Sequence, residues 1–170
     1  PFGPLVDPDW EGFLPPGDMP GRIRRFCERT GQRPPESVGE VVRCIFESLA
    51  LKYRWVIERA ERVSGVRAGV VHVVGGGARN ALLCRLTAEA ARRPVLAGPD
   101  EATVLGNVLV QAHAAGMLGG LGEIREVVRA SVPAEVYEPE EADEGWEEAY
   151  GRLCGLVGLP SGELAEGGLV

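Results

Sequence analysis

The feature that most constrains this chain is VVHVVGGGARN, Val70 to Asn80, a β-branched run that breaks into three consecutive glycines and is followed at once by helical spacing. Five residues interrupted only by His72 are too short for a helix, and the run reads as a buried parallel strand, Val70 to Val74. Behind it Ala81, Leu82, Leu86 and Ala90 recur at helical spacing to Arg92, and Pro94 to Ala97 returns as a short strand ending in Gly98-Pro99. Strand, helix and strand in that order make a βαβ unit, so the fold class is α/β.

Glycine has no Cβ, so Gly75, Gly76 and Gly77 let the main chain approach a ligand closely, and the N–H groups opening the next helix favour phosphate. Asn80, read as lying one turn into that helix, can offer its amide to a base or ribose. Two other uses of the turn stay open. It can be only a close-packed corner between strand and helix. It can also be part of an NAD-binding dehydrogenase unit, since Gly75 and Gly77 match the first two glycines of G-x-G-x-x-G and Asp100 stands near the end of the next strand, where a ribose ligand belongs. The sixth position is Asn80 rather than Gly or Ala, which departs from that fingerprint.

The rest of the chain is mostly helical. Gly21 to Arg29 predicts a short helix, ended by the turn formers Gly31, Pro34 and Pro35. Ser37 and Glu40 form a capping box ahead of Val41, Ile45, Leu49, Val56, Ala60 and Val63, a long amphipathic helix that Gly65 closes. Asp100 can cap the helix carrying Ala102, Leu105, Val108, Leu109, Ala112 and Ala115, and a further helix is expected from Gly122 to Arg129. From Val136 the chain turns acidic, EPEEADEGWEEAY, which predicts a solvated helix with Trp146 and Tyr150 packed back; the last ten residues are expected to fray.

A net charge of −7, with arginines scattered among carboxylates, lacks the field that draws a nucleic-acid backbone. No apolar run approaches the roughly 20 residues that cross a bilayer, and none reads as a secretory signal, so neither a membrane nor a nucleic-acid partner is expected and the cytoplasm is the expected location. Cys27, Cys44, Cys84 and Cys154 show no C-x-x-C pair and no histidine at ligand spacing, so no metal site is expected. Cys27 and Cys44 fall on two helices joined by a short loop and can come within bridging distance, although a reducing compartment argues against a lasting disulfide. His72 and His113 have no nucleophile and acid at a recognised spacing, and Trp10, Tyr53 and Trp55 read as packing residues.

His72 to Gly116, HVVGGGARNALLCRLTAEAARRPVLAGPDEATVLGNVLVQAHAAG, resembles the C-terminal domain of the FGGY carbohydrate kinases. So do FLPPGDMPGRI, Phe13 to Ile23, and ESVGEVVRCIFESLALKYRW, Glu36 to Trp55, where Cys44 stands in place of the usual small alanine or serine. The resemblance runs from about Leu5 to Pro139. It implies a partial actin-like, ribonuclease-H-like ATPase domain, the second domain of such a kinase, using ATP and Mg2+ to phosphorylate a sugar hydroxyl. L-rhamnulose is the sugar its branch of the family implies. Gly75, Gly76 and Gly77 would line the adenosine and phosphate site with Asn80 beside the adenine. The same resemblance places the catalytic aspartate, the N-terminal phosphate loop and nearly all sugar contacts before Pro1 or at the junction just after it. It divides the chain into an irregular segment with a short helix (1–35), an incomplete nucleotide-binding domain (36–139) and an acidic helical tail (140–170). A chain of that kind is expected to be a fragment that is inactive alone, with the preceding kinase domain as its missing partner.

Overall fold

The computed structural model describes residues 1–140 and 144–158. Helix α1, Met19–Arg29, starts two residues before the predicted point because Asp18 caps it, accepting the Gly21 N–H at 2.9 Å. Helix α2, Val38–Ser64, opens on the expected capping box: Ser37 Oγ accepts the Glu40 N–H at 3.1 Å, and Glu40 reaches back to the Ser37 N–H at 3.4 Å. It ends at Gly65, whose φ of 70° is the left-handed cap that glycine supplies without steric cost.

Strand β1, Val71–Val73, and strand β2, Val95–Ala97, pair in parallel with Val71 opposite Val95, joined through helix α3, Ala81–Ala91. This is the βαβ unit read from the sequence. A third strand, β3, Glu135–Tyr137, was not expected: it adds antiparallel to β2, with Tyr137 opposite Val95, giving the order β1-β2-β3. Three residues carry no legible alternation. They become a strand because β2 offers an open ladder and Tyr137 packs against Cys84, Ala88 and Val95. β1 is only half buried, with His72 exposed, since it forms one edge of the described sheet and α3 covers one of its faces.

Helix α4, Ala102–Ala114, and helix α5, Leu121–Ser131, lie against each other but bury little, and Leu109 is the one buried residue of α4. Asp100 does not cap α4. Glu101 holds the cap position without a side-chain bond, because the Asp100 carboxylate is engaged elsewhere.

The principal core lies between α2, α3 and helix α6, Glu144–Leu156, where Leu5, Ala50, Leu51, Leu86, Ala90, Trp146, Ala149 and Leu153 are all buried. The acidic helix therefore keeps its charges outside while Trp146 Nε1 donates to Glu89 at 3.1 Å and Tyr150 OH donates to Glu58 at 2.6 Å. A second cluster joins Val6, Ile23, Phe26, Cys27, Val41 and Cys44. Cys27 and Cys44 meet there as free thiols and not as a disulfide. The hydrogen bond between them, followed by burial, pushes the Cys44 thiol far up; the same bond holds Cys27 below its ordinary value against the opposing effect of burial.

Candidate functional site

The glycine turn lies beyond the C-terminal ends of β1 and β2, where open α/β sheets commonly place ligands. After the extended Val74, residues Gly75–Arg79 wind into a 3-10 turn instead of entering α3 directly. Two main-chain bonds stitch the turn to the loop after β2: Gly75 N–H to the Pro99 carbonyl at 3.0 Å and Gly98 N–H to the Val73 carbonyl at 2.8 Å.

The three glycines have different parts. Gly75 takes φ 75°, which side-chain-bearing residues rarely adopt, and a Cβ there would sit 3.9 Å from the Asp100 carbonyl oxygen. A Cβ on Gly77 would make ordinary contact with Val73, at 3.7 Å. Over Gly76 there is open space, with nothing within 4 Å. Gly76 is the second residue of the 3-10 turn, so its N–H has no acceptor inside it, whereas that of Gly77 is in register for the Val74 carbonyl. Room above the chain at an N–H that the turn itself does not use suits a phosphate group.

Asn80 is not one turn into α3. It is the N-cap: its side-chain oxygen accepts the Leu83 N–H at 3.0 Å, which leaves the amide nitrogen as the group able to meet a ligand. Beneath the turn the buried Cys84 thiol lies 3.7 Å from the Gly77 carbonyl, and burial raises its pKa.

Arg79 was passed over in the sequence reading. Its Nε donates to Asp100 Oδ2 at 2.7 Å, and one terminal nitrogen lies 3.5 Å from Glu101. The Arg79 guanidinium holds Asp100 below the usual carboxylate range, and Asp100 raises Arg79 in turn. The available signal was a cation just after the glycines and an acid just after the second strand. Their pairing needs the strand register, which spacing does not give.

Among the described residues no three His, Cys, Asp or Glu side chains gather in a way that could hold a metal ion. His113 Nδ1 lies 2.7 Å from the Leu118 carbonyl oxygen, a structural use, and no described helix is long and apolar enough to cross a membrane.

Residues 1–115 match the profile of the FGGY family of carbohydrate kinases, C-terminal domain. Among similar proteins, the rhamnulokinase of Bacteroides thetaiotaomicron is 45% identical over 150 residues, 88% of this chain and 31% of that protein. The rhamnulokinase of Enterococcus faecalis is 40% identical over 144 residues, covering 84% and 29%. That of Bacillus subtilis is 38% identical over 143 residues, covering 84% and 30%. The chain thus spans about a third or less of the length of these relatives. Nothing in these matches supports the dehydrogenase alternative, and Asn80 as a helix cap takes the place where that fold needs a third small residue.

Proposed function

Because the chain belongs to the FGGY family of carbohydrate kinases, we propose that it is the ATP-binding part of an enzyme that transfers the γ-phosphate of ATP to a sugar hydroxyl. L-rhamnulose, converted to L-rhamnulose 1-phosphate, is the substrate that the names of its relatives favour. In this reading residues 36–139 are the nucleotide-binding portion of an actin-like domain, preceded by 1–35 and followed by the acidic segment 140–170, which contains α6. The observation that carries it is the open, stitched turn at Gly75–Arg79 inside the matched region.

Phosphoryl transfer of this kind depends on positioning and on neutralising charge. The part of this chain is to seat the nucleotide: the Gly76 N–H meets a phosphate oxygen, Gly75 and Gly77 let the main chain come close, and the Asn80 amide nitrogen orients the adenosine. Magnesium would supply charge neutralisation on the phosphates when bound. The aspartate that takes the hydroxyl proton and the sugar pocket are assigned to a preceding kinase domain, so the chain alone should not phosphorylate a sugar. Drawing on ATP, the enzyme would work in the cytoplasm.

The test is a titration of isotope-labelled chain with Mg-ATP and, separately, with NAD, following the amide signals of Gly75, Gly76, Gly77 and Asn80. Shifts with ATP alone are expected. Shifts with NAD alone would overturn the reading. Gly76→Val, which fills the open space, should abolish the ATP response while leaving the circular dichroism spectrum unchanged.

A further inference from the structure

We propose that Arg79, aimed by Asp100, binds the outer phosphates of the nucleotide and makes this site selective for nucleoside di- and triphosphates over the monophosphate and the nucleoside. The inference rests on the nucleotide reading above and deepens it. Arg79 is the last residue of the turn that begins at Gly75, and its side chain reaches across to the loop after β2. Asp100 is itself fixed: its other carboxylate oxygen accepts the Glu101 N–H at 3.0 Å, and its carbonyl lies beside Gly75. The guanidinium is held along its Nε–Nη2 edge, with Nε on Asp100 and Nη2 on the side of Glu101. Of the two terminal nitrogens, Nη2 makes only the long 3.5 Å contact to Glu101, and no protein acceptor for the other is found among the described residues.

A guanidinium fixed along one edge keeps its Nη1–Nη2 edge for a ligand, an edge through which arginine can take two phosphate oxygens at once. Charge gives a second reason. Without Arg79, Asp100 and Glu101 would present two carboxylates at the rim of a phosphate site in a chain of net charge −7, a field that repels a polyphosphate. With it, the formal charge of the rim falls from −2 to −1, and the weak contact to Glu101 is the one that yields. As a stabilising device alone the pair has little use, because the Arg79 side chain is 64% exposed and solvent screens such bonds.

The experiment titrates the chain with adenosine, AMP, ADP and ATP in magnesium, following the Gly76 amide and the Arg79 Nε signals, in the native sequence and in Arg79→Gln, Arg79→Lys and Asp100→Asn. Arg79→Gln should weaken ADP and ATP by about tenfold, the scale of a lost charge-assisted bond, and leave adenosine and AMP unchanged. Arg79→Lys should restore part of the loss by returning the charge without the fork, and Asp100→Asn should show a smaller loss confined to ADP and ATP. Unaltered ADP and ATP affinity in Arg79→Gln would overturn the assignment while leaving the nucleotide site intact. An equal loss for adenosine and ATP would also overturn it, in favour of a merely structural role. A native chain that is folded yet binds none of the four would overturn the nucleotide reading and this assignment with it.

Discussion

Truncating Leu153 to alanine tests whether the acidic C-terminal helix belongs to the core. Leu153 is 0% exposed and packs among Leu5, Leu51, Leu86 and Trp146. Three carbon atoms are removed, and the smaller neighbours Ala50, Ala90 and Ala149 have no flexible side chain with which to refill the space. The cavity should therefore persist, which puts the cost in the middle of the Leu→Ala range, about 3–4 kcal/mol. For a domain of this length that corresponds to a fall in Tm of roughly 10 °C. Urea unfolding followed by tryptophan fluorescence measures it, with Leu14→Ala as control: Leu14 is 81% exposed, and its truncation should change stability by less than about 0.5 kcal/mol. If Leu153→Ala also stays within about 0.5 kcal/mol of the native sequence, α6 does not hold this core together and the reasoning fails.

The Arg54 guanidinium binds Glu147 through both terminal nitrogens, at 2.8 and 3.0 Å, and Glu58 through Nε at 2.8 Å. Arg54 holds Glu147 below its ordinary range; burial pushes Glu58 up, but Arg54 and the Tyr150 hydroxyl outweigh it and hold Glu58 down as well. Depressed carboxylates contribute stability above their unfolded pKa and lose it as pH falls through the folded one, so the stability gap between the native chain and Arg54→Met should be constant near neutrality and shrink below about pH 4. A gap that stays constant down to pH 2 would refute this. Cys27, Cys44 and Cys84 are buried and Cys154 is exposed, so a thiol reagent added to the native chain should consume one of the four cysteines quickly and the others only at the rate of unfolding; fast labelling of Cys27 or Cys44, located by mass spectrometry, would contradict the packing of α1 on α2. Val104, Val108 and Val110 of α4 are each more than half exposed, and β1, at an edge of the described sheet, is flanked by the exposed Val70 and Val74, so the chain alone should self-associate in sedimentation velocity runs. A monodisperse monomer with a sharp unfolding transition would count against it.

Much of the candidate site was legible because it is local. The positive φ at Gly75 and the open space at Gly76 follow from a β-branched run that meets glycines, and the helix after them from spacing alone. Asn80 was misplaced by one turn because a 3-10 turn and an α-helix begin with similar residues, and only the bond to Leu83 tells cap from interior. Arg79 was missed because its partner is 21 residues away, brought into reach by the parallel register of Val71 with Val95.

The sequence by itself determined the elements whose signals lie within a few residues: the capping box at Ser37 and Glu40, the left-handed stop at Gly65, the βαβ order and the glycine turn, together with the motifs that carry the family. Each depends on backbone preferences and short-range hydrogen bonds that neighbours decide. Only the tertiary structure decided that Glu135–Tyr137 is a strand, that Asp100 serves Arg79 and leaves α4 uncapped, and that the acidic helix closes the core with Leu153 and Trp146. A strand of three residues exists by virtue of its partner, and a carboxylate chooses between a helix end and a cation by which comes within reach. Those choices belong to contacts between segments far apart in the chain, where no local periodicity records them.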